Sequence, residues 1–265
     1  MVVLTDQRSA SASEIVAGVI QDYDRGVLVG RKTYGKGLVQ QTRPLAYNAQ
    51  LKVTTAKYYI PSGRCIQAID YSSESTAKIA DSLKTTFRTS NGRAVLDGGG
   101  IDPDILIDPP KLSTICYRLI QKNLIFNYAT KYYFEHDTLS SARNFKLSDS
   151  EFQQFLIWLE SQSFDYQTPL EIKLDQALDL AKTASRSEQV YQSIKELNTL
   201  LQVEKKNDLG LHEEEIKRLL EQDIVSRYYL QEGIIEASFD SDPDILKAIE
   251  ILEDIGSYNG ILKLN

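Results

Sequence analysis

The chain has 265 residues, of which 42% are hydrophobic and 25% are charged, and it carries a net charge of −7 with a pI of about 5.1. This length suits one large or two ordinary globular domains, and the acidic balance argues against a general nucleic-acid-binding surface, which would be basic. No run of about 18 apolar residues is present, so no segment of the sequence is a candidate membrane span.

The chain begins with "MVVLTDQRSAS", which lacks the basic start and long apolar stretch of a signal peptide. It opens directly on a strand-like run, and Met1 is the only methionine, so we expect a fragment of a longer protein. Cys65 and Cys116 show neither metal-ligand nor redox spacing, and we expect two free core thiols rather than a disulfide.

Residues 1–110 alternate between strand and helix patterns. Short apolar runs at residues 2–5 and 26–30 predict strands, and residues 13–23 between them predict a helix. This order predicts an α/β unit. Residues 50–60, "QLKVTTAKYYI", predict a further strand, whereas the polar, Ser/Thr-rich residues 71–93 predict an excursion or flexible loop.

Residues 111–265 have mainly helical patterns. Apolar side chains recur at helical spacing within residues 150–162, 214–237 and 244–255, and we expect the last two helices to pack as a pair. Ser148 or Asp149 is the predicted start of the first of these helices. The predicted domains are therefore residues 1–110 and residues 111–265.

A glycine-rich loop lies within residues 27–41, "VLVGRKTYGKGLVQQ". Gly30, Gly35 and Lys36 fit the first seven positions of the phosphate-binding pattern G-x-x-x-x-G-K-[ST], but Gly37 stands where a hydroxyl residue should hold magnesium. The following "LVQQTRPLAY" is a poor helix, so the positive end of a helix is also missing. Two interpretations of Lys36 remain: a solvated turn lysine, or a lysine buried enough to act uncharged as a general base.

A candidate nucleophile precedes this loop. In "RSASASEIVAG", Ser11 and Glu14 have the spacing of a capping box, so Ser11 has a purely structural explanation as a helix cap. A serine at a helix N-terminus is also suited to acyl transfer, because the helix N–H groups favour a developing oxyanion. The only histidines, His136 and His212, lie in the helical half, so lysine is the expected base.

Three blocks, in this order, resemble the carboxy-terminal processing peptidases, also called tail-specific proteases. They are "SASASEIVAGVIQDYDRGVLVGRKTYGKGLVQ", "LKVTTAKYYIPSGRCIQ" and "NGRAVLDGGGIDPDI", and the likeness covers roughly residues 2–108. The resemblance implies an α/β partial protease core of the crotonase/ClpP type. The mostly α-helical remainder looks like a C-terminal extension found in some bacterial members.

The resemblance also assigns roles to single residues. It implies that Ser11 is the nucleophile, that Lys36 is its base, and that Gln40 orients this lysine. The backbone N–H of Ala12 would contribute to the oxyanion hole. Some members are discussed with an aspartate at the position of Asp22, which we interpret instead as a surface or helix-end residue.

The implied activity is serine endopeptidase cleavage of proteins near accessible C-terminal tails, through an acyl-enzyme and without a metal or organic cofactor. The implied location is the periplasm or cell envelope of a bacterium. Family members carry a PDZ domain and the first part of the core upstream, including a second oxyanion donor, and Gly98–Gly100 match a later turn instead. We therefore expect little or no activity from this chain alone.

Two other functions stay open from the sequence. The helical half could be a non-catalytic interaction or assembly module, with a homo-oligomer formed through its amphipathic helices. Nucleotide binding by the Lys36 loop is the third alternative, and it lacks two of its requirements.

Overall fold

The computed structural model describes residues 1–71, 77–109, 111–184 and 187–264. In chain order the strands and first helix are β1 Val2–Thr5, α1 Ala12–Asp22, β2 Val27–Gly30, β3 Leu38–Pro44, β4 Gln50–Lys57, β5 Ile69–Asp70, β6 Ala77–Lys78, β7 Thr86–Arg88, β8 Ala94–Leu96 and β9 Ile105–Leu106. The later helices are α2 Thr114–Gln121, α3 Leu124–Glu135, α4 Asp149–Ser161, α5 Pro169–Thr183, α6 Glu188–Lys205, α7 Asp208–Leu211, α8 Glu213–Ser238, α9 Pro243–Glu253 and α10 Ile255–Leu262.

The chain divides into two units, one formed by Met1–Pro109 with Ser241–Asn265 and the other by Pro110–Asp240. The first is α/β and the second is helical, as the sequence predicted. The predicted division into residues 1–110 and 111–265 differs from this one at the C-terminal end. There α9 and α10 belong to the first unit rather than to the helical part.

A parallel sheet with the strand order β1-β2-β9 forms the centre of the first unit. All four residues of β2 are buried, as expected for a parallel strand covered on both faces. Helix α1 makes the connection that two adjacent parallel strands require. The strand–helix–strand order predicted for residues 2–30 is therefore confirmed.

Alternation along β2 directs its side chains into two different cores. Leu28 packs with Ala17 of α1 on one face of the sheet, whereas Val27 and Val29 face the opposite side. On that opposite side they pack with Ile251 of α9 and Leu262 of α10. An ion pair of 2.8 Å between Arg31 and Asp244 also joins the end of β2 to the first turn of α9. These contacts explain why the last two helices cluster with the sheet.

Strands β3 and β4 form an antiparallel hairpin with a bulge between Val39 and Gln40. Every residue of the hairpin except half-buried Leu38 is exposed. The strand predicted at residues 50–60 is confirmed over Gln50–Lys57. In the polar stretch 71–93, β7 pairs with β8, so part of the expected loop is a hairpin, and residues 72–76 lie outside the described residues.

The second unit has an aromatic-rich core between α3, α4 and α8, in which Tyr128, Phe152, Phe155 and Ile224 are buried. Helix α4 begins after Ser148 with a capping box to Glu151, as predicted. The helix predicted at residues 214–237 is α8, with non-helical backbone at Leu230. Because α8 and α9 belong to different units, the expectation that they pack as a pair is not supported.

Two further observations concern the cysteines and the lengths of the helices. Both cysteines are free, but only Cys116 is buried, whereas Cys65 is half-exposed and lines a cleft. Among the helices that the structure describes, none combines the length and the apolar character needed to cross a bilayer.

Candidate active site

Ser11 stands at the head of α1 with backbone angles of φ 56° and ψ −116°. A non-glycine residue with such a φ is strained by about 1–3 kcal/mol, and residues of this kind cluster at functional sites. Ser11 and Glu14 have the arrangement of the predicted capping box, but only its backbone half is a hydrogen bond of good geometry, with Ser11 N–H donating to Glu14 Oε2 at 2.9 Å. Capping therefore does not use the Ser11 hydroxyl as a hydrogen-bond acceptor.

The Glu14 carboxylate is fully buried and connects the Ser11 turn to the Lys36 loop. Its Oε1 accepts from the Thr33 hydroxyl at 2.5 Å and from Gly35 N–H at 2.7 Å. Its Oε2 accepts from Lys36 N–H at 2.8 Å, beside the bond from Ser11 N–H. One side chain thus fixes the backbones of both predicted catalytic residues.

The Tyr58 hydroxyl contacts the same two backbones from their carbonyl side. It donates to the Lys36 carbonyl, and the Ser11 carbonyl lies 3.4 Å from it. Burial, together with the nearby Glu14 carboxylate and Cys65, raises the pKa of Tyr58 to about 12, so its hydroxyl keeps its proton at neutral pH. We did not predict a role for Tyr58 or this second role for Glu14, although both lie inside the family-like blocks.

The two glycines beside Lys36 are required by close backbone packing. Gly35 has φ 86°, and a Cβ there would lie 2.4 Å from the Cβ of Ala68. A Cβ on Gly37 would lie 2.8 Å from the backbone N of Gln67, whose Oε1 accepts from Gly37 N–H at 2.9 Å. The glycines therefore allow the close approach of the chain at residues 67–68.

The Lys36 side chain is exposed, which agrees with the solvated turn lysine, one of the two interpretations left open, and not with the buried base. The reason is local: Glu14 and Tyr58 bind the backbone of Lys36, which leaves its side chain on the solvent side of the loop. Among the described residues, Lys36 forms hydrogen bonds through its backbone only, so none joins its ammonium group to Ser11 or Gln40.

Gln40 lies on β3 immediately after the bulge and is exposed. Its amide makes one long contact, 3.5 Å to the Thr54 hydroxyl. Gln40 and Lys36 line the same cleft without a hydrogen bond between them in the described part of the chain. The predicted roles of Ser11, Lys36 and Gln40 stay predictions at this point.

The cleft has a volume of about 1420 Å³ and begins beside the serine turn, where Ala10 and Lys36 line it. Its apolar lining includes Ile69, Leu83 and Phe87. Ala12, the first residue of α1, is exposed near this end, and the first N–H groups of a helix have no partner within the helix. The N–H groups of Ser13 and Glu14 donate to the carbonyls of Ala10 and Ser11, so in the described part of the chain only the Ala12 N–H of this first turn is without an acceptor. An open groove with apolar walls that begins beside this turn suits an extended peptide whose carbonyl is attacked there.

Asp22 is the last residue of α1, as predicted, but it is buried rather than at the surface. It forms an ion pair of 2.9 Å with Arg64 and accepts from Ser62 N–H at 2.9 Å. Burial lowers the pKa of Arg64, and the charge of Asp22 opposes this shift. Asp22 lies eleven positions after Ser11, or about 16 Å at 1.5 Å per helical residue, so Asp22 lies away from the candidate site.

The third family-like block has a structural explanation. Arg93 pairs with Asp24 and Asp104, which ties the β7–β8 hairpin to the end of α1 and to the start of β9. Gly98 and Gly100 have φ values of 67° and 79°, so the described backbone supports the turn role expected of them.

The structure does not support the phosphate-loop alternative for residues 30–37. The chain after Gly37 continues as strand β3, so no helix N-terminus receives a phosphate there. Within the described residues, no group of three or more His, Cys, Asp or Glu side chains is arranged to hold a metal ion.

Two family models match the chain. The model described as the C-terminal helical domain of probable PDZ-proteases matches residues 115–252, slightly more than half of the chain. The model of peptidase family S41 matches residues 1–75, which include the serine turn and the Lys36 loop.

Several relatives are similar to part of the chain. The carboxy-terminal-processing protease of Bartonella bacilliformis is 52% identical over 69 residues, which are 26% of this chain and 16% of the relative. The carboxyl-terminal-processing protease of a Synechocystis species is 54% identical over 61 residues, 23% of this chain and 14% of the relative. The chloroplastic C-terminal processing peptidase of Tetradesmus obliquus is 40% identical over 114 residues, 43% of this chain and 18% of the relative.

The matches thus span less than a fifth of the length of these relatives. A solved structure, the photosystem II D1 C-terminal processing protease, aligns at 30% identity over 42% of this chain and 21% of its own, and its TM-score of 0.27 is too low to bear on the fold. The two family models confirm the resemblance found in the sequence. The chain belongs to the carboxy-terminal processing peptidases, with a family S41 peptidase region at its start and the C-terminal helical domain of PDZ-proteases after it.

Proposed function

We propose that this chain is part of a serine endopeptidase that cleaves proteins near their C-termini, with Ser11 as the nucleophile and Lys36 as the general base. One observation carries the proposal: the strained Ser11 turn at a helix N-terminus is joined to the backbone of Lys36 by the buried Glu14 carboxylate. Strained backbone persists where the surrounding structure holds it, and it is typical of catalytic turns.

The proposed reaction is acyl transfer in two steps. Uncharged Lys36 takes the proton of the Ser11 hydroxyl as Oγ attacks the scissile carbonyl carbon, and the carbonyl oxygen becomes an oxyanion beside Ala12 N–H and the helix N-terminus. The intermediate collapses to an acyl-Ser11 ester, while protonated Lys36 gives its proton to the leaving amine. Water then attacks the ester carbonyl while Lys36 takes its proton, the bond from the carbonyl carbon to Ser11 Oγ breaks, and Lys36 returns the proton to Oγ as the new C-terminus leaves.

The working state must shield Lys36, because a solvated lysine stays charged near neutral pH. We propose that the substrate and further protein segments close over the cleft and that Gln40 then reaches Lys36. The exposure of both side chains here, together with the small fraction of each relative that is matched, supports low activity of the 265-residue chain alone.

The proposed substrates are proteins with accessible, often apolar C-terminal tails, which the open cleft with its apolar lining would accommodate. The relatives named C-terminal processing proteases support this substrate class. We propose a bacterial periplasm or cell envelope as the location, on the basis of the family alone.

The test is peptide hydrolysis by the full-length protein. Ser11→Ala and Lys36→Ala should each abolish turnover and leave the melting temperature within a few degrees of wild type. The matched controls are Ser13→Ala on the same helix and Lys52→Ala on the exposed face of β4, and both should keep wild-type turnover. Wild-type turnover in Ser11→Ala or Lys36→Ala would contradict the proposal.

We propose as a second function that the helical unit serves assembly. None of the 18 residues of α6 is buried, and the large apolar residues Leu197, Leu200 and Val203 are exposed along it. Light scattering tests this: a homo-oligomer that Leu200→Glu dissociates supports assembly through α6, and a monomer at all concentrations argues against it.

A further inference from the structure

Two side chains bind the backbones of Ser11 and Lys36 from opposite sides. Glu14 accepts the N–H groups of both residues, and Tyr58 faces the carbonyl groups of both. We propose that Glu14 and Tyr58 are positioning residues, which set the spacing of the nucleophile and the base through the main chain. This inference rests on the proposed function of Ser11 and Lys36.

Helix capping accounts for only one of the hydrogen bonds to Glu14. The bond from Ser11 N–H belongs to the capping box, whereas those from Thr33, Gly35 and Lys36 come from the loop after β2. Four donors converge on two oxygens, so the site needs a group that only accepts, which is an ionised carboxylate. Glutamine at this position would turn an NH₂ group toward two donors.

In the part of the chain that the structure describes, no ion pair joins this carboxylate to a cation. Among the described residues, every partner of Glu14 is a neutral N–H or O–H group, although the side chain is fully buried. Burying a charge in this way is costly unless hydrogen bonds compensate it. The arrangement therefore depends on all the donors staying in place, which makes it a rigid link between the serine turn and the lysine loop.

Tyr58 closes the link on the other side. Its own backbone N–H donates to the Gly37 carbonyl at 3.1 Å, which anchors it to the lysine loop. Its hydroxyl proton goes to the Lys36 carbonyl, with the Ser11 carbonyl as the more distant acceptor at 3.4 Å. Phenylalanine at this position would keep the ring and remove only the contact that joins the two segments.

The structural test uses the 265-residue chain and needs no activity. In wild type, the amide protons of Ser11, Gly35 and Lys36 should exchange slowly by NMR, and Glu14→Gln should speed their exchange at least tenfold. Tyr58→Phe should shift the carbonyl ¹³C resonance of Lys36.

The controls are Glu171→Gln, which changes another buried capping-box glutamate in the helical unit, and Tyr23→Phe, which removes an exposed hydroxyl at the far end of α1. Both should leave the Ser11 and Lys36 signals unchanged. Fast exchange of these amides in folded wild type, or no change in either variant, would overturn the inference. If Glu14→Gln does not fold, the carbonyl resonance of Lys36 in Tyr58→Phe tests the inference instead.

The kinetic test uses the full-length peptidase. Glu14→Gln and Tyr58→Phe should lower kcat at least tenfold with KM within about twofold, because they misplace reacting groups without touching the substrate. Tyr23→Phe should keep wild-type kcat. A wild-type kcat in Tyr58→Phe contradicts the inference, whereas wild-type turnover in Ser11→Ala contradicts the proposed function and leaves the NMR result standing.

Discussion

Single residues of the candidate site combine local strain with dense hydrogen bonding. Ser11 holds an unfavourable φ, while its N–H group is fixed by Glu14 and its carbonyl faces Tyr58. Gly35 shows the same tight construction in the neighbouring loop, where a positive φ coincides with contact to Ala68. The nucleophile and base segments are thus held by atoms that take no part in the proposed chemistry.

Gly35→Ala should destabilise the first unit by about 2–5 kcal/mol, from left-handed backbone strain and overpacking against Ala68. Gly92→Ala is the matched control, because Gly92 has φ 78° but open space around its Cβ position. Gly92→Ala should lower the stability only by the backbone strain, about 1–2 kcal/mol. Urea unfolding followed by circular dichroism measures both, and equal losses would contradict the packing explanation.

Asp22→Asn should lower stability by about 3–5 kcal/mol, because it leaves the buried Arg64 without its charged partner. The substitution should lower activity only because less of the protein is folded. The full-length variant, assayed below its melting temperature, should keep a near-wild-type kcat. A folded Asp22→Asn protein with abolished turnover would instead support a catalytic aspartate.

The residues of the site were predictable to different degrees. The blocks around Ser11 and Lys36 identified both segments, and the structure links their backbones. The exposure of Lys36 is one of the two interpretations that the sequence left open. The burial of Asp22 was not predictable, because it depends on contacts with residues distant in sequence, such as Arg64. Hydrophobic periodicity does not report such contacts.

Among the elements, the two C-terminal helices have the most consequential position. Helices α9 and α10 cover the face of β2 that carries Val27 and Val29, so they complete the core beneath the candidate site. The amphipathic pattern of residues 244–255 predicted α9 correctly but said nothing about which surface this helix would cover. The β7–β8 hairpin was missed for a related reason, since β7 lies in a polar stretch and each strand has only three residues, too few for a clear alternation.

Ile251→Ala should destabilise the first unit by about 2–5 kcal/mol, because Ile251 is buried against β2. Leu252→Ala on the same helix is the control, since Leu252 is 48% exposed and should change stability by less than about 1 kcal/mol. Trp158 lies in the second unit, and its fluorescence should show that this unit stays folded. Equal losses of stability in the two variants would contradict the packing of α9 against β2.

The first turn of α4 should make the helical unit sensitive to acid. Burial opposes ionisation of Glu151, but hydrogen bonds from Ser148 and Tyr132 outweigh it and lower its pKa below the ordinary 4.5. A lowered folded-state pKa means that its stabilisation is present above pH 4.5 and is lost as the pH falls through the folded value.

Glu151→Gln should therefore be less stable than wild type at pH 7, and the difference should shrink as the pH falls below about 4.5. Urea unfolding monitored by Trp158 fluorescence at several pH values measures it. Glu160→Gln, at an exposed position in the last turn of the same helix, should show no such convergence. A stability difference between Glu151→Gln and wild type that does not change with pH would contradict the lowered pKa of Glu151.

At the scale of the whole molecule, the chain combines a peptidase-type α/β unit with a helical unit. The helical-domain family model extends to residue 252, although α9 packs on the sheet of the first unit. The sequence predicted both classes of structure and the first boundary near residue 110, but not the return of the chain to the first unit. That return is a long-range contact, which local patterns do not specify.

The central claim is that Ser11 becomes acylated with the help of Lys36. The most direct measurement is acid quenching of the full-length protein during turnover of an activated peptide ester, followed by peptide mapping with mass spectrometry. We predict an acyl adduct on the peptide that contains Ser11, no adduct in Ser11→Ala, and strongly slowed acylation in Lys36→Ala. An adduct on another residue, or normal acylation in Lys36→Ala, would contradict the account.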